Sequence, residues 1–84
     1  MPVGNEAMSD FVKAYFLANV KQGTEHAVAQ KIQKMKEVTE VLVTYGLWDL
    51  VVRIEVETLG HLDKTITDIR RIKEIEQTTT LIGS

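Results

Sequence analysis

The stretch Tyr45-Gly46-Leu47-Trp48-Asp49-Leu50-Val51-Val52 holds the end of one extended segment, a tight turn and the start of the most apolar strand of the chain. Gly46 takes positive φ at no steric cost, which marks the turn by mechanism. Beyond it, Trp48, Leu50, Val52, Ile54 and Val56 alternate with Asp49, Val51, Arg53, Glu55 and Glu57. That alternation predicts a strand over about 48–57 with one fully apolar face and one mixed face. Asp49 stands at its mouth, where a carboxylate either caps backbone N–H groups of the turn or receives a ligand.

Working outward, residues 38–45 read as the partner strand, with Val41, Val43 and Tyr45 in alternation. Before it, Thr24 is an expected N-cap with Glu25 in the first turn, and Val28, Ile32 and Met35 form the apolar stripe of a helix reaching about Lys36. Residues 11–20 form a strand apolar on both faces, Val12, Ala14, Phe16, Ala18 and Val20 against Phe11, Tyr15 and Leu17. After the central strand, Thr58 caps a second helix carrying Leu59, Leu62, Ile66 and Ile69 and ending near Ile72. Residues 75–82, with Thr78-Thr79-Thr80, close the chain as a strand.

The order is β-α-β-β-α-β. Short loops and two helical crossovers fit a ferredoxin-like α+β fold: a four-stranded antiparallel sheet in the order 4-1-3-2 with both helices on one face. Residues 11–84 form this one domain, and residues 1–10, aperiodic and containing Pro2 and Gly4, read as a flexible tail. Helices on one side only leave Tyr15, Leu17, Val41, Val43, Val51 and Leu81 as the expected uncovered face. Such a patch is larger than soluble monomers tolerate, so a homodimer packed face to face is expected.

Composition narrows the function. An 84-residue chain with no Cys has no disulfide framework and no thiolate metal site. His26 and His61 are far apart, each near the start of a helix, and both read as solvated polar positions; no metal and no cofactor is expected. A net charge of −2 argues against a general nucleic-acid surface. The two basic clusters, Lys31, Lys34 and Lys36, and Arg70, Arg71 and Lys73, fall in last helical turns, where cations complement the helix dipole. No run approaches a membrane span and no signal-peptide pattern opens the chain, so a cytoplasmic location is expected.

A β-α-β-β-α-β chain whose hairpin reads Gly46-Leu47-Trp48-Asp49 before an apolar strand resembles the effector-binding (RAM) domain of the Lrp/AsnC, or feast/famine, transcription regulators. Ala14 in an apolar first strand, Thr58-Leu59 through Leu62-Asp63 at the second helix, and the Thr-x-Thr of residues 78–80 agree, so that the similarity spans about 11–82. The regulators carry a helix-turn-helix domain before this one. Only about ten residues precede the first strand here, which points to the stand-alone members and to no direct DNA binding.

The resemblance implies homodimers assembling into octameric or decameric rings, small effectors, above all amino acids, in clefts between dimers, and full-length regulators as partners. Carried over by position, the ligand-binding residues are Tyr45, Gly46, Leu47, Trp48, Asp49, Thr78 and Thr80. Asp49 would receive an ammonium group, the Gly46 turn would offer N–H groups to a carboxylate, and the threonines would add hydroxyls. Two other readings stay open for the threonines and Trp48: satisfying a sheet edge, and packing. Two other functions compete. One is a small dimeric enzyme of cofactor-independent monooxygenase or isomerase type; no catalytic grouping at useful spacing supports it, and a non-enzyme is expected. The other is an assembly module without a ligand.

Overall fold

The computed structural model describes residues 11–83; the expected tail at 1–10 lies outside them. Six elements follow in order: β1 (Val12–Val20), α1 (Glu25–Gln33), β2 (Val38–Val43), β3 (Leu50–Val56), α2 (Leu59–Arg70) and β4 (Ile75–Gly83). The sheet order is β2-β3-β1-β4 and every pairing is antiparallel, the ferredoxin-like arrangement that the chain's periodicity predicts.

The register explains where the core sits. Residues directly opposite in an antiparallel pair share a face. Ala14 faces Ile54, Phe16 faces Val52 and Ala18 faces Leu50, and all six are sealed from solvent. Against this face α1 packs Val28 and Ile32, and α2 packs Leu62 and Ile69. Both helices therefore cover the same side. Thr58 caps α2 by accepting the His61 N–H at 3.0 Å.

Four expectations are corrected. Val41 and Val43 lie opposite Val52 and Leu50 and pack on the core, not on the uncovered face. The cause is a register shift between Val38 and Glu40: one extra residue lets Val38 and Val41 face the same side, and the odd positions after it swap faces. Leu42 takes their place outside, opposite Val51. Secondly, β2 ends at Val43 and β3 begins at Leu50, so Tyr45 and Trp48 belong to the connection. Thirdly, the helices stop at Gln33 and Arg70, earlier than their stripes suggest, because 32–38 and 69–75 turn through successive i→i+3 backbone bonds. Finally, Thr24 stands before α1 without capping it; its hydroxyl donates instead to the Lys21 carbonyl at 2.6 Å.

The uncovered face carries a row of Leu42, Val51 and Leu17, ending at Thr79, and beside it Glu40, Arg53, Tyr15 and Leu81. Tyr15, Leu42 and Leu81 are each about half exposed, at 46, 47 and 54%. The expected apolar patch is present, with Leu42 as a member and Val41 and Val43 removed.

Candidate functional site

One end of the sheet gathers the chain's functional candidates. The end of β1, the start of α1, the 44–49 hairpin, the end of α2 and the start of β4 all meet there, because antiparallel order alternates strand ends. The hairpin is fixed from both sides. Its two arms close through Thr44 N–H to Asp49 carbonyl, 2.8 Å, and Thr44 Oγ1 to Trp48 carbonyl, 2.7 Å. Asp49 N–H donates across to the Ala18 carbonyl at 3.0 Å and to Asn19 Oδ1 at 3.1 Å. Gly46 has φ +139°, and open space surrounds a Cβ built there, so backbone conformation alone calls for glycine.

The Asp49 carboxylate has a structural partner. Its Oδ2 accepts the Val20 N–H at 3.0 Å, which ties the mouth of β3 to the end of β1. The bond crosses strands instead of capping the Gly46 turn. Tyr45 and Leu47, 96 and 82% exposed, project from the tip of the hairpin.

The seven candidate residues do not converge within one chain. Tyr45, Gly46 and Asp49 line a cavity of about 260 Å³ together with Thr44 and with Glu25 and His26 of α1. Trp48 and Thr78 line a separate groove of about 540 Å³, with Arg70 at the end of α2 and Glu76 and Gln77 of β4. Thr80 lines a third hollow, about 450 Å³, among Leu59, Leu62, Ile66 and Ile82. Thr78 and Thr80 do share a face, since they pair with the core residues Ala18 and Phe16. That face of β4 is only half-buried. Glu25, His26, Arg70 and Glu76 were invisible as site residues in the sequence; their common signal is that each adjoins a loop at the hairpin end of a βαββαβ chain.

The opposite end holds a hydrogen-bonded pair. His61 Nε2 and Glu37 Oε2 are 2.9 Å apart, joining the first turn of α2 to the residue before β2. This hydrogen bond holds the Glu37 carboxyl below its ordinary value of 4.5. His61 is therefore a bonded, half-buried residue and not the solvated one expected. Among the described residues no group of three or more His, Cys, Asp or Glu side chains is placed to hold a metal ion, and no helix is long and apolar enough to cross a membrane.

Comparison with known proteins agrees with this architecture. Residues 13–83 match the Lrp/AsnC ligand binding domain family. The HTH-type transcriptional regulator FL11 of Pyrococcus furiosus is 34% identical over 80 residues, 95% of this chain and 53% of that protein. The chain thus spans about half the length of this curated relative. A crystal structure of the hypothetical protein PHS023 from Pyrococcus horikoshii superimposes with a TM-score of 0.84 at 42% identity, over 87% of this chain and 89% of that one. The structure titled FFRP-DM1 gives the same score and identity over 87% of this chain and 99% of that one. E. coli AsnC, 24% identical, shares the fold at a TM-score of 0.82 over 99% of this chain and 57% of that one. The chain belongs to the Lrp/AsnC family of transcription regulators, of which it forms the ligand binding domain.

Proposed function

We propose that this domain senses a small amphoteric effector, an amino acid, and transmits its presence through assembly. The observation that carries this reading is the hairpin: the Asp49 carboxylate, held at Oδ2 by the Val20 N–H, lines one cavity with Tyr45 and the Gly46 turn. An ammonium group suits Asp49, and the Gly46 turn provides backbone N–H groups for a carboxylate. Thr78 and Thr80 lie in other hollows of the same chain. In this reading they meet the ligand from a neighbouring copy, and the uncovered face of Tyr15, Leu17, Leu42, Val51 and Leu81 supplies the contact that forms the homodimer. Dimers then join into octameric or decameric rings.

FL11 is described as an HTH-type transcriptional regulator. By extension, this domain modulates transcription from the cytoplasm, by ligand-dependent co-assembly with full-length regulators of its family. It performs no catalysis in this role.

A thermal-shift panel of the standard amino acids, with light scattering in parallel, tests the reading. A ligand at about a hundred times its Kd adds roughly 2.7 kcal/mol to the folded state, which for a domain of this size raises Tm by about 10 °C or more. A selective shift that Asp49→Ala abolishes is the expected result. A stable ring with no shift from any amino acid overturns sensing and leaves assembly alone.

A further inference from the structure

The uncovered face of the sheet carries charges as well as apolar side chains, and the two are ordered by level along the central strands β3 and β1. One level pairs Val51 with Leu17, the next Arg53 with Tyr15, and the third Glu55 with Lys13. Glu55 and Lys13 stand directly opposite each other, yet they form no ion pair. Glu55 Oε2 takes the Arg53 guanidinium at 2.8 Å, while Lys13 is exposed and enters no ion pair among the described residues.

Two such faces packed about a two-fold axis obey a simple geometry. Where residue i of one copy meets residue j of the other, j also meets i. For aligned sheets the axis lies between them and runs either across the strands or along them. An axis across the strands reverses the order of the levels. With the sheets fully overlapped, Leu17 then falls on the partner's Lys13 and Val51 on the partner's Glu55, which sets charges against apolar surface. An axis along the strands keeps the levels and exchanges β3 with β1. Leu17 then meets the partner's Val51, Tyr15 meets the partner's Arg53, and Lys13 meets the partner's Glu55. Apolar meets apolar, a phenol ring meets a guanidinium, and the cation left unpaired within the chain meets a carboxylate. Only the second axis makes every level self-complementary.

We propose that Lys13 and Glu55 select the partner on this face: each meets the other across the interface, at two symmetry-related places, and together they admit a chain with the same two charges and oppose one without them. The proposal rests on the reading of the uncovered face as the homodimer contact, and adds the axis along the strands and the residues that discriminate between related chains.

The test exchanges both charges in the full chain, Lys13→Glu together with Glu55→Lys. Two exchanged chains again oppose unlike charges, whereas an exchanged chain and a wild-type chain oppose Glu to Glu and Lys to Lys. Tagged and untagged proteins are mixed at about 0.1 M salt, and the tag recovers the dimers. Each kind should capture its own kind, with crossed capture about tenfold lower or less. Salt at about 1 M, which screens charges beyond about 3 Å, should raise crossed capture toward the like-with-like level. Lys13→Glu and Glu55→Lys made separately provide a second pair: each opposes like charges in its own homodimer and unlike charges in the mixed one, so each should capture the other in preference to itself. Crossed capture equal to like-with-like in the first pair, or self-capture equal to mixed capture in the second, overturns the proposal. A wild-type protein that light scattering finds as a single chain overturns the homodimer reading as well, whereas free mixing of chains that do dimerise overturns selection alone.

Discussion

Phe16 and Tyr15 are adjacent aromatic residues of the same central strand, and their surroundings are opposite. Phe16 is sealed between the sheet and its helices, while Tyr15, on the other face, is 46% exposed. The same holds for Val52 against Val51 on β3 and for Val41 against Leu42 on β2. The presence of apolar residues does not by itself separate the two faces, since the uncovered one carries Tyr15, Leu17, Leu42, Val51 and Leu81 beside its charged Glu40, Arg53 and Glu55. What separates them is that α1 and α2 each have one apolar stripe and lay both on the same side. The chain covers one face itself and leaves the other uncovered.

The sharpest way to test this contrast is to cut each face at matched positions. Phe16→Ala should destabilise the fold by about 3–5 kcal/mol, through lost transfer energy and the cavity left behind. Urea unfolding measures it, and a loss below about 1 kcal/mol would break the claim that this face is the core. Tyr15→Ala, one residue away, should change the chain's own stability by no more than about 0.5 kcal/mol in a dissociated sample. Leu42→Lys places a charge at the β2 end of the apolar row, beside Val51. It should leave the circular dichroism spectrum intact and lower the mass seen by light scattering to a single chain. An assembled Leu42→Lys protein would show that contacts elsewhere hold the copies together.

The contrast was only partly legible in the sequence. On β1 and β3 an unbroken period of two assigns every residue to its face, and there sequence and structure agree from Ala14 to Ala18 and from Leu50 to Val56. On β2 the period fails. The shift between Val38 and Glu40 adds one residue, a three-residue step that no alternation pattern contains, and it moves Val41 and Val43 into the core. The hairpin behaves similarly. Gly46 and Asp49 stand out because each has a local chemical reason, but Arg70 and Glu76 come to Trp48 through topology, and a linear reading has no distance between residues 48 and 70. The Glu37–His61 pair, 24 residues apart, escaped for the same reason.

Smaller effects concern what keeps α2 on the covered face. Thr58 accepts the His61 N–H, so Thr58→Ala should cost about 1 kcal/mol, or 4–8 °C in Tm. Thr24→Ala, at the start of α1, removes no cap and should cost less than half as much. Equal losses at the two threonines would mean that the capping bond at Thr58 contributes little.

The smallest expected effect is the pH dependence of the Glu37–His61 contact, the second tie between α2 and the sheet. The bond from His61 holds the Glu37 pKa below 4.5 in the folded chain, and the unfolded chain has the ordinary value. At a pH between the two values the unfolded state binds more protons, so acid favours unfolding. The resulting stabilisation is fully present above about pH 4.5 and disappears as pH falls through the lowered folded value. With the His61 side chain 38% exposed, solvent screens the pair and its contribution stays below about 1 kcal/mol. Chemical unfolding of wild type and His61→Ala at pH 6 and again below pH 4 measures it. The gap between the two proteins should narrow at the lower pH. A gap that stays constant would assign the role of His61 to packing on α2, and the covered face would then be held by Thr58 and the core contacts alone.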